Sequence, residues 1–96
     1  MYVAALRMDL HISQSASLKH RRSVVRHLVE TSRHRFGVSA AEVDPHDLWQ
    51  RAAIGFAAVA STPTHAEHLV GQAERFVWSH PEVEVLSSER GWVELD

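Results

Sequence analysis

YVAALRMDLHI, the stretch from Tyr2 to Ile12, decides the fold because its apolar side chains recur at every second position. The apolar series is Tyr2, Ala4, Leu6, Met8, Leu10 and Ile12. Successive side chains of a strand point to opposite faces, so this series falls on one face of an extended segment. The other face carries Arg7, Asp9 and His11. The stretch therefore predicts a strand that is buried on one face only.

A helix is expected after this strand, from Leu18 to Phe36. Ser17 can accept a hydrogen bond from the first-turn amides, and Gly37 is the residue type that most often ends a helix. Spacings of three and four residues predict the inner face of the helix. That face comprises Leu18, Val25, Leu28, Val29, Ser32 and Phe36.

The rest of the chain predicts two strands, a second helix and a final strand. Val38 to Val43 forms a short strand that ends at a turn around Pro45, and Leu48 to Ser61 forms a long one. Both faces of the long strand are largely apolar, which favours a central position in the sheet. Thr62-Pro63 begins the second helix, which ends before Pro81. The final strand, or hairpin, is expected to hold Val83, Val85, Val93 and Leu95 in one phase.

This order of elements predicts an α+β fold of the ferredoxin-like, split βαβ type. It closes most simply as a four-stranded antiparallel sheet with both helices on one face. Right-handed crossovers place the first and third strands in the centre and the second and fourth at the edges. A chain of 96 residues can bury one core but not two, so residues 1–96 are expected to form a single domain.

Composition narrows the chemistry. The chain has no cysteine, which excludes disulfides, thiolate metal sites and cysteine nucleophiles. Arg7 and Asp9 interrupt the apolar start before it could act as a signal segment, and no apolar run is long enough to span a membrane. We expect a soluble, cytoplasmic protein without membrane association.

Basic residues are concentrated in the first third of the chain. Residues 1–37 carry seven Lys and Arg against two acids, a net charge of +5, whereas residues 38–96 carry three against ten, a net charge of −7. Six basic residues lie on the first predicted helix: Lys19, Arg21, Arg22, Arg26, Arg33 and Arg35. Arg21 and Arg35 flank the other four, which share one helix face. Such a surface suits phosphates and predicts RNA binding, although a charged helix face can also serve solubility alone.

Four segments give the chain a resemblance to a known family. They are Ser17-Leu18-Lys19-His20-Arg21-Arg22, Arg35-Phe36-Gly37-Val38-Ser39, Ala41-Glu42-Val43-Asp44 and Asp47-Leu48-Trp49-Gln50-Arg51-Ala52. In these segments, and from Ser79 to Val85, the chain resembles the YlxP-like family of small bacterial proteins, which is assigned to a domain of unknown function. The resemblance covers nearly the whole chain and implies a ferredoxin-like fold. It also implies a role near translation or ribosome maturation, because such genes commonly neighbour those for initiation and ribosome-binding factors. It implies no catalytic residues.

The histidines do not predict a metal site. His20, His27 and His34 are seven residues apart, which on a helix is about 10 Å, too far for neighbours to share one ion. His65 and His68 have a better spacing but lack a third ligand in the sequence. We expect neither a metal nor a cofactor.

The densest acidic cluster comprises Glu42, Asp44, His46 and Asp47. Alternation directs Glu42 and Asp44 to one side of a strand, where paired carboxylates could hold Mg²⁺ or transfer protons. The favoured interpretation is that these charges and Pro45 protect an edge strand and build a turn. There is no Gly-rich phosphate loop, and the loop after the first strand lacks the glycine-bracketed, arginine-bearing cradle of acylphosphatases. We therefore expect no enzymatic activity.

The sheet face without helices is expected to mediate self-association. It should present Arg51 with the small residues Ala53 and Gly55, flanked by Trp49 and Trp92. Small residues would allow a second sheet or a protein partner to approach closely, which predicts a homodimer. Base stacking here is not expected, because the central strands lack the required aromatic side chains. Two alternatives stay open: Trp49 can pack against its own chain, and the protein can be an interaction module that binds no nucleic acid.

Overall fold

The computed structural model describes residues 1–12, 17–44 and 50–96. The elements are β1 (Tyr2–Ile12), α1 (Leu18–Phe36), β2 (Ser39–Asp44), β3 (Arg51–Ala60), α2 (Pro63–Ser79) and β4 (Val83–Glu94). The strands form one antiparallel sheet in the order β2-β3-β1-β4. Helix α1 packs against β2 and α2, and α2 packs against β1 and β3. The ferredoxin-like fold predicted from the sequence is confirmed, with β1 and β3 in the centre.

The core lies between the helices and the sheet face that they cover. The apolar series of β1 is buried beyond Tyr2, as its alternation predicts. The remaining core residues of the helices and of β3 are Val24, Val25, Leu28, Val29, Ala52, Ile54, Phe56, Ala58, Ala66, Val70, Ala73 and Val77. Each large aliphatic side chain buried here stabilises the fold by about 1.5–3 kcal/mol. The core therefore fixes which side of α1 points inward.

Both helices begin at the predicted capping residues. The Ser17 hydroxyl accepts a hydrogen bond from the His20 amide at 3.1 Å, and the Thr62 hydroxyl accepts one from the His65 amide at 3.2 Å. Gly37 follows α1 with φ 66°, in the left-handed region. Within the part of the chain that the structure describes, neither helix is long and apolar enough to cross a membrane.

The pairing of β4 with β1 contains a β-bulge. Asp9 pairs with Ser87, whereas the next residue, Leu10, pairs with Val85, so Leu86 is the extra residue. A shift of one residue moves every following side chain to the other face of the sheet. The two halves of β4 therefore have opposite phases.

This bulge corrects two expectations. Val85 faces the helices, but Val93 pairs with Val3 on the sheet face without helices, hereafter the open face, so the final strand does not keep one phase. Trp92 pairs with the buried Ala4, which places it on the helix side of the sheet, where it is 66% exposed. Trp92 is therefore not part of the open face, and its predicted role in an interface there was wrong.

Candidate nucleic-acid interface

The six basic residues of α1 divide into five at the surface and one in the interior. Arg21 is only 5% exposed. Its Nε donates to the main-chain oxygen of Arg51 at 2.8 Å, and its Nη2 donates to the Glu42 carboxylate. Arg21 precedes the buried Val25 and Leu28 by four and seven residues, so it lies on the apolar side of the helix. The prediction that Arg21 contacts nucleic acid was therefore wrong.

Three of the exposed cations remain together. Arg22, Arg26 and Arg33 line a groove of about 350 Å³ between α1 and β2, hereafter the arginine groove. Their positions, i, i+4 and i+11, share one face and lie about 6 Å and 10 Å apart along the helix axis. The groove is also lined by Val25, Val29, Glu30, Ala41 and Glu42. The sequence predicted this grouping of arginines but not the second wall that β2 provides.

The arginines of the groove keep donors for a ligand. The Nε of Arg33 donates to the main-chain oxygen of Ala40 at 3.0 Å, which holds this side chain along the edge strand. A guanidinium has five N–H donors, so one such bond leaves most of them for an anion. Among the described residues, no carboxylate forms an ion pair with Arg22, Arg26 or Arg33.

The buried Arg21 also affects the charge of the groove. Glu42, which lines the β2 side, already pairs with Arg21, and the side chains of the two are 27% and 6% exposed. Glu30 is then the remaining acid of the lining, against three arginines. The groove is therefore cationic although the whole chain is acidic. This supporting role of Arg21 was not predicted from the sequence, although its spacing of four residues from Val25 indicates the apolar side of the helix.

Lys19 and Arg35 lie outside the groove lining. Lys19 is exposed one turn before Arg22 and extends the cationic surface towards the start of α1. The guanidinium carbon of Arg35 lies 5.2 Å from the centre of the Phe36 ring and 5.9 Å from that of Phe76, which are cation–π distances. Arg35 is therefore on the α2 side of the helix, away from the other cations.

The α2 side of α1 carries histidines rather than permanent charges. His27 and His80 have ring centres 5.4 Å apart. Burial lowers the pKa of His80, and the neighbouring charge of His27 lowers it further, although Glu82 opposes both effects. His20 lies 2.8 Å from the Glu82 carboxylate. The described residues contain no group of three potential metal ligands that could hold one ion. The arginine groove holds three of the five exposed permanent cations of α1.

The acidic cluster is split by the fold. Glu42 pairs with Ile54 on the helix side, whereas Asp44 pairs with Ala53 on the open face, because the register shifts between the two acids. Asp44 accepts a hydrogen bond from Arg7 at 3.4 Å. The expectation that Glu42 and Asp44 point to one side was therefore wrong. His46 and Asp47 lie outside the described residues.

Part of the predicted protein interface is inaccessible. Ala53 is on the open face but fully buried, between Asp9 of β1 and Asp44 of β2 in the register. Alternation predicts the face of a strand residue, but it does not predict whether neighbouring side chains cover it. Ala53 was therefore wrongly predicted as a contact residue, and Trp49 lies outside the described residues.

Gly55 and Arg51 are half-buried on the open face. A Cβ atom on Gly55 would lie 2.7 Å from Cγ1 of Val43, so the absence of a side chain makes room for Val43. Arg51 offers its main-chain oxygen to Arg21. Both residues thus have roles within the chain, and the exposed part of this face lies further along the strands.

The comparisons with known proteins concern family and fold. The chain matches the family model "Protein of unknown function (DUF503)" over residues 3–90. It is 32% identical over 81 residues to the uncharacterized protein YlxP of Bacillus subtilis (strain 168), an alignment that covers 84% of this chain and 88% of that protein.

Similar solved structures include a designed protein and an enzyme. The de novo designed protein Foldit4 has a TM-score of 0.49 at 8% identity, covering 98% of this chain and 99% of that one. SnoaB, a cofactor-independent oxygenase from Streptomyces nogalater, has a TM-score of 0.49 at 8% identity, covering 98% and 92%. Likenesses at this level do not extend to function.

Proposed function

The chain belongs to the DUF503 family, as its resemblance to YlxP-like proteins predicted, and we propose that it binds the phosphate backbone of RNA through the arginine groove. The observation that carries this proposal is that Arg22, Arg26 and Arg33 line one groove. Among the described residues, no carboxylate forms an ion pair with any of the three. The protein acts as a binding module in the cytoplasm, at ribosomal or other structured RNA.

Guanidinium groups favour phosphate as the ligand. They bind phosphate oxygens through two parallel N–H···O hydrogen bonds, which give the interaction a preferred direction in addition to the attraction between charges. The other lining residues include Val25, Val29 and Ala41, which offer neither stacking surfaces nor side-chain hydrogen bonds to bases. Binding is therefore expected to depend on backbone position and shape rather than on base sequence.

RNA is favoured over other polyanions by the family resemblance, which implies a role near translation or ribosome maturation. The overall charge of −2 opposes the approach of a polyanion from most directions. Binding is therefore expected to be moderate in strength and to weaken steeply with salt, because each phosphate contact releases condensed counterions.

Filter binding of ribosomal RNA fragments across a salt series tests the proposal. Removing two phosphate contacts in Arg22→Ala/Arg26→Ala should weaken binding and reduce the slope of log affinity against log salt by about two. The matched control is Arg35→Ala, which removes an α1 arginine outside the groove and should leave the slope unchanged. Salt-independent binding, or equal slopes for wild type and the double variant, would overturn the proposal.

We propose no catalytic activity and no cofactor for this chain. The carboxylates that could have shared a metal or a proton, Glu42 and Asp44, face opposite sides of the sheet. The second candidate function is self-association without RNA binding. Exposed valines on the open face favour self-association, and their positions indicate how two copies would pack.

A further inference from the structure

The open face, which is the sheet face without helices, has an apolar half at the end where β1 begins. Val59, Val3 and Val93 lie in register across β3, β1 and β4 and form the valine row. Val59 is 63% exposed and Val93 is 53% exposed. Val3, between them, is half-buried. A row of three valines with two of them more than half exposed is unusual for a monomer, because a solvated sheet face normally carries polar residues.

The rows on either side of the valines differ in size. Towards the middle of the strands, Ala57, Ala5 and Gly91 lie in register and form the small row. They border a trough of about 550 Å³ in the open face. Towards the strand ends, Met1 and Leu95 bond to each other through the main chain, and alternation places both exposed side chains beside the valines as the outer row.

Charged side chains mark the limit of this apolar half. Arg7 follows the small row and lies in register with Glu89. Its Nε lies 3.1 Å from the Asp9 carboxylate, and its Nη2 lies 3.4 Å from that of Asp44. A partner that covered this charged half would have to desolvate these groups, whereas the three apolar rows can be covered without burying a charged side chain.

We propose that a second copy of this chain docks face to face on these three rows. The two-fold axis lies across the strands, along the valine row. Val3 then faces Val3 of the other copy, and the outer row of each copy meets the small row of the other, with Met1 over Ala5 and Leu95 over Gly91. Large residues thus meet small ones on both sides of the axis, which is the self-complementarity that a two-fold interface requires.

The area of the apolar half indicates a weak dimer. The rows cross three strands about 4.8 Å apart, and three side-chain rows about 7 Å apart then give a footprint of about 300 Å² per copy. This is at the lower end of the range for the largest apolar patches of ordinary monomers, which are often functional, and it is less than half of the area that each partner contributes to a standard interface. Association is therefore expected at micromolar or higher concentrations. The inference does not depend on RNA binding, because the arginine groove lies on the helix side of the sheet.

Sedimentation of the purified chain over a range of concentrations tests the dimer. Wild type should shift from monomer to dimer, whereas Val59→Lys, a change at an exposed position, should remain monomeric with an unchanged circular dichroism spectrum. The matched control is Trp92→Lys, which alters an equally exposed apolar residue on the helix side and should still dimerise. A wild type that stays monomeric at about 1 mM, or a Val59→Lys chain that dimerises like wild type, would overturn the proposal.

The absence of cysteine allows the arrangement itself to be checked, because any introduced thiol is unique. In the proposed dimer Val59 faces its own copy across the axis, at the separation of about 10 Å that stacked sheets adopt. A short bis-maleimide should therefore crosslink Val59→Cys into a dimer and leave Trp92→Cys largely monomeric. Equal crosslinking of the two variants would overturn the face-to-face packing.

Discussion

At the scale of single residues, Arg21 shows how a charged side chain can serve a binding surface without touching the ligand. A buried guanidinium is costly unless its charge and its donors are matched. The Glu42 carboxylate neutralises the charge of Arg21 and accepts a hydrogen bond from its Nη2, and the main-chain oxygen of Arg51 accepts one from its Nε. The same pair removes one acid from the electrostatics of the arginine groove. Arg21 thus links the start of α1 to β2 and β3.

We predict that Arg21→Met lowers the free energy of unfolding by about 3 kcal/mol, because it leaves Glu42 partly buried without its counter-charge. Urea denaturation measures this loss. The matched control is Arg22→Met, which makes the same change one position along at an exposed site and should alter stability by less than about 0.5 kcal/mol. Equal stabilities of the two variants would show that the buried pair contributes nothing to the fold.

At the scale of elements, a strand was predicted correctly where its alternation of apolar and polar residues is continuous, and wrongly where a bulge interrupts that alternation. The series of β1 is unbroken, and Ser17 and Gly37 mark both ends of α1, so the bounds of these elements were predicted correctly. Leu18 was wrongly assigned to the inner face of α1, since it lies in the first turn and is 42% exposed. The bulge at Leu86 has no sequence signal, because any residue type can be the inserted one. It inverted the phase of the second half of β4 and misplaced Trp92.

The candidate site was predictable to a similar extent. The helical spacing of Arg22, Arg26 and Arg33 groups them correctly, since helix geometry alone determines which positions share a face. The same geometry, applied strictly, also assigns Arg21 to the apolar side. Pairing between distant strands could not be predicted from spacing, and it is this pairing that places β2 beside α1 and separates Glu42 from Asp44.

We predict that Gly37→Ala destabilises the protein by about 1 kcal/mol through the backbone alone. Gly37 has φ 66°, a conformation that costs residues with a Cβ about 1–2 kcal/mol. A Cβ atom there would meet no atom within 4 Å, so no clash contributes. Thermal unfolding measures the loss, and Gly37→Asn should lose less, because asparagine tolerates the left-handed region. If Gly37→Ala is as stable as wild type, the C-cap does not constrain the end of α1.

At the scale of the whole molecule, the fold separates its two candidate surfaces. The helices and the arginine groove lie on one side of the sheet, and the three apolar rows lie on the other. Part of the acidity of the C-terminal half is compensated internally, because Arg90 bonds to Glu74 at 2.6 Å and also to Glu67. Burial disfavours the charged form of Glu74, but hydrogen bonds from Ser88 and Arg90 outweigh it and lower the pKa of this carboxyl.

A dimer joined through the open face carries two arginine grooves, which predicts a dependence of affinity on RNA length. An RNA long enough to reach both grooves should bind about tenfold more tightly than a short one, because the second contact is intramolecular. Val59→Lys should lose this preference while keeping the affinity of wild type for short RNA. Arg22→Ala/Arg26→Ala should lose affinity for both lengths while remaining dimeric, since its changes lie on the other side of the sheet. Filter binding with the two RNAs, at protein concentrations above and below the dimer dissociation constant, measures these effects. If Val59→Lys also lost binding to short RNA, the dimer contact and the RNA contact would share one surface. That result would contradict their placement on opposite sides of the sheet.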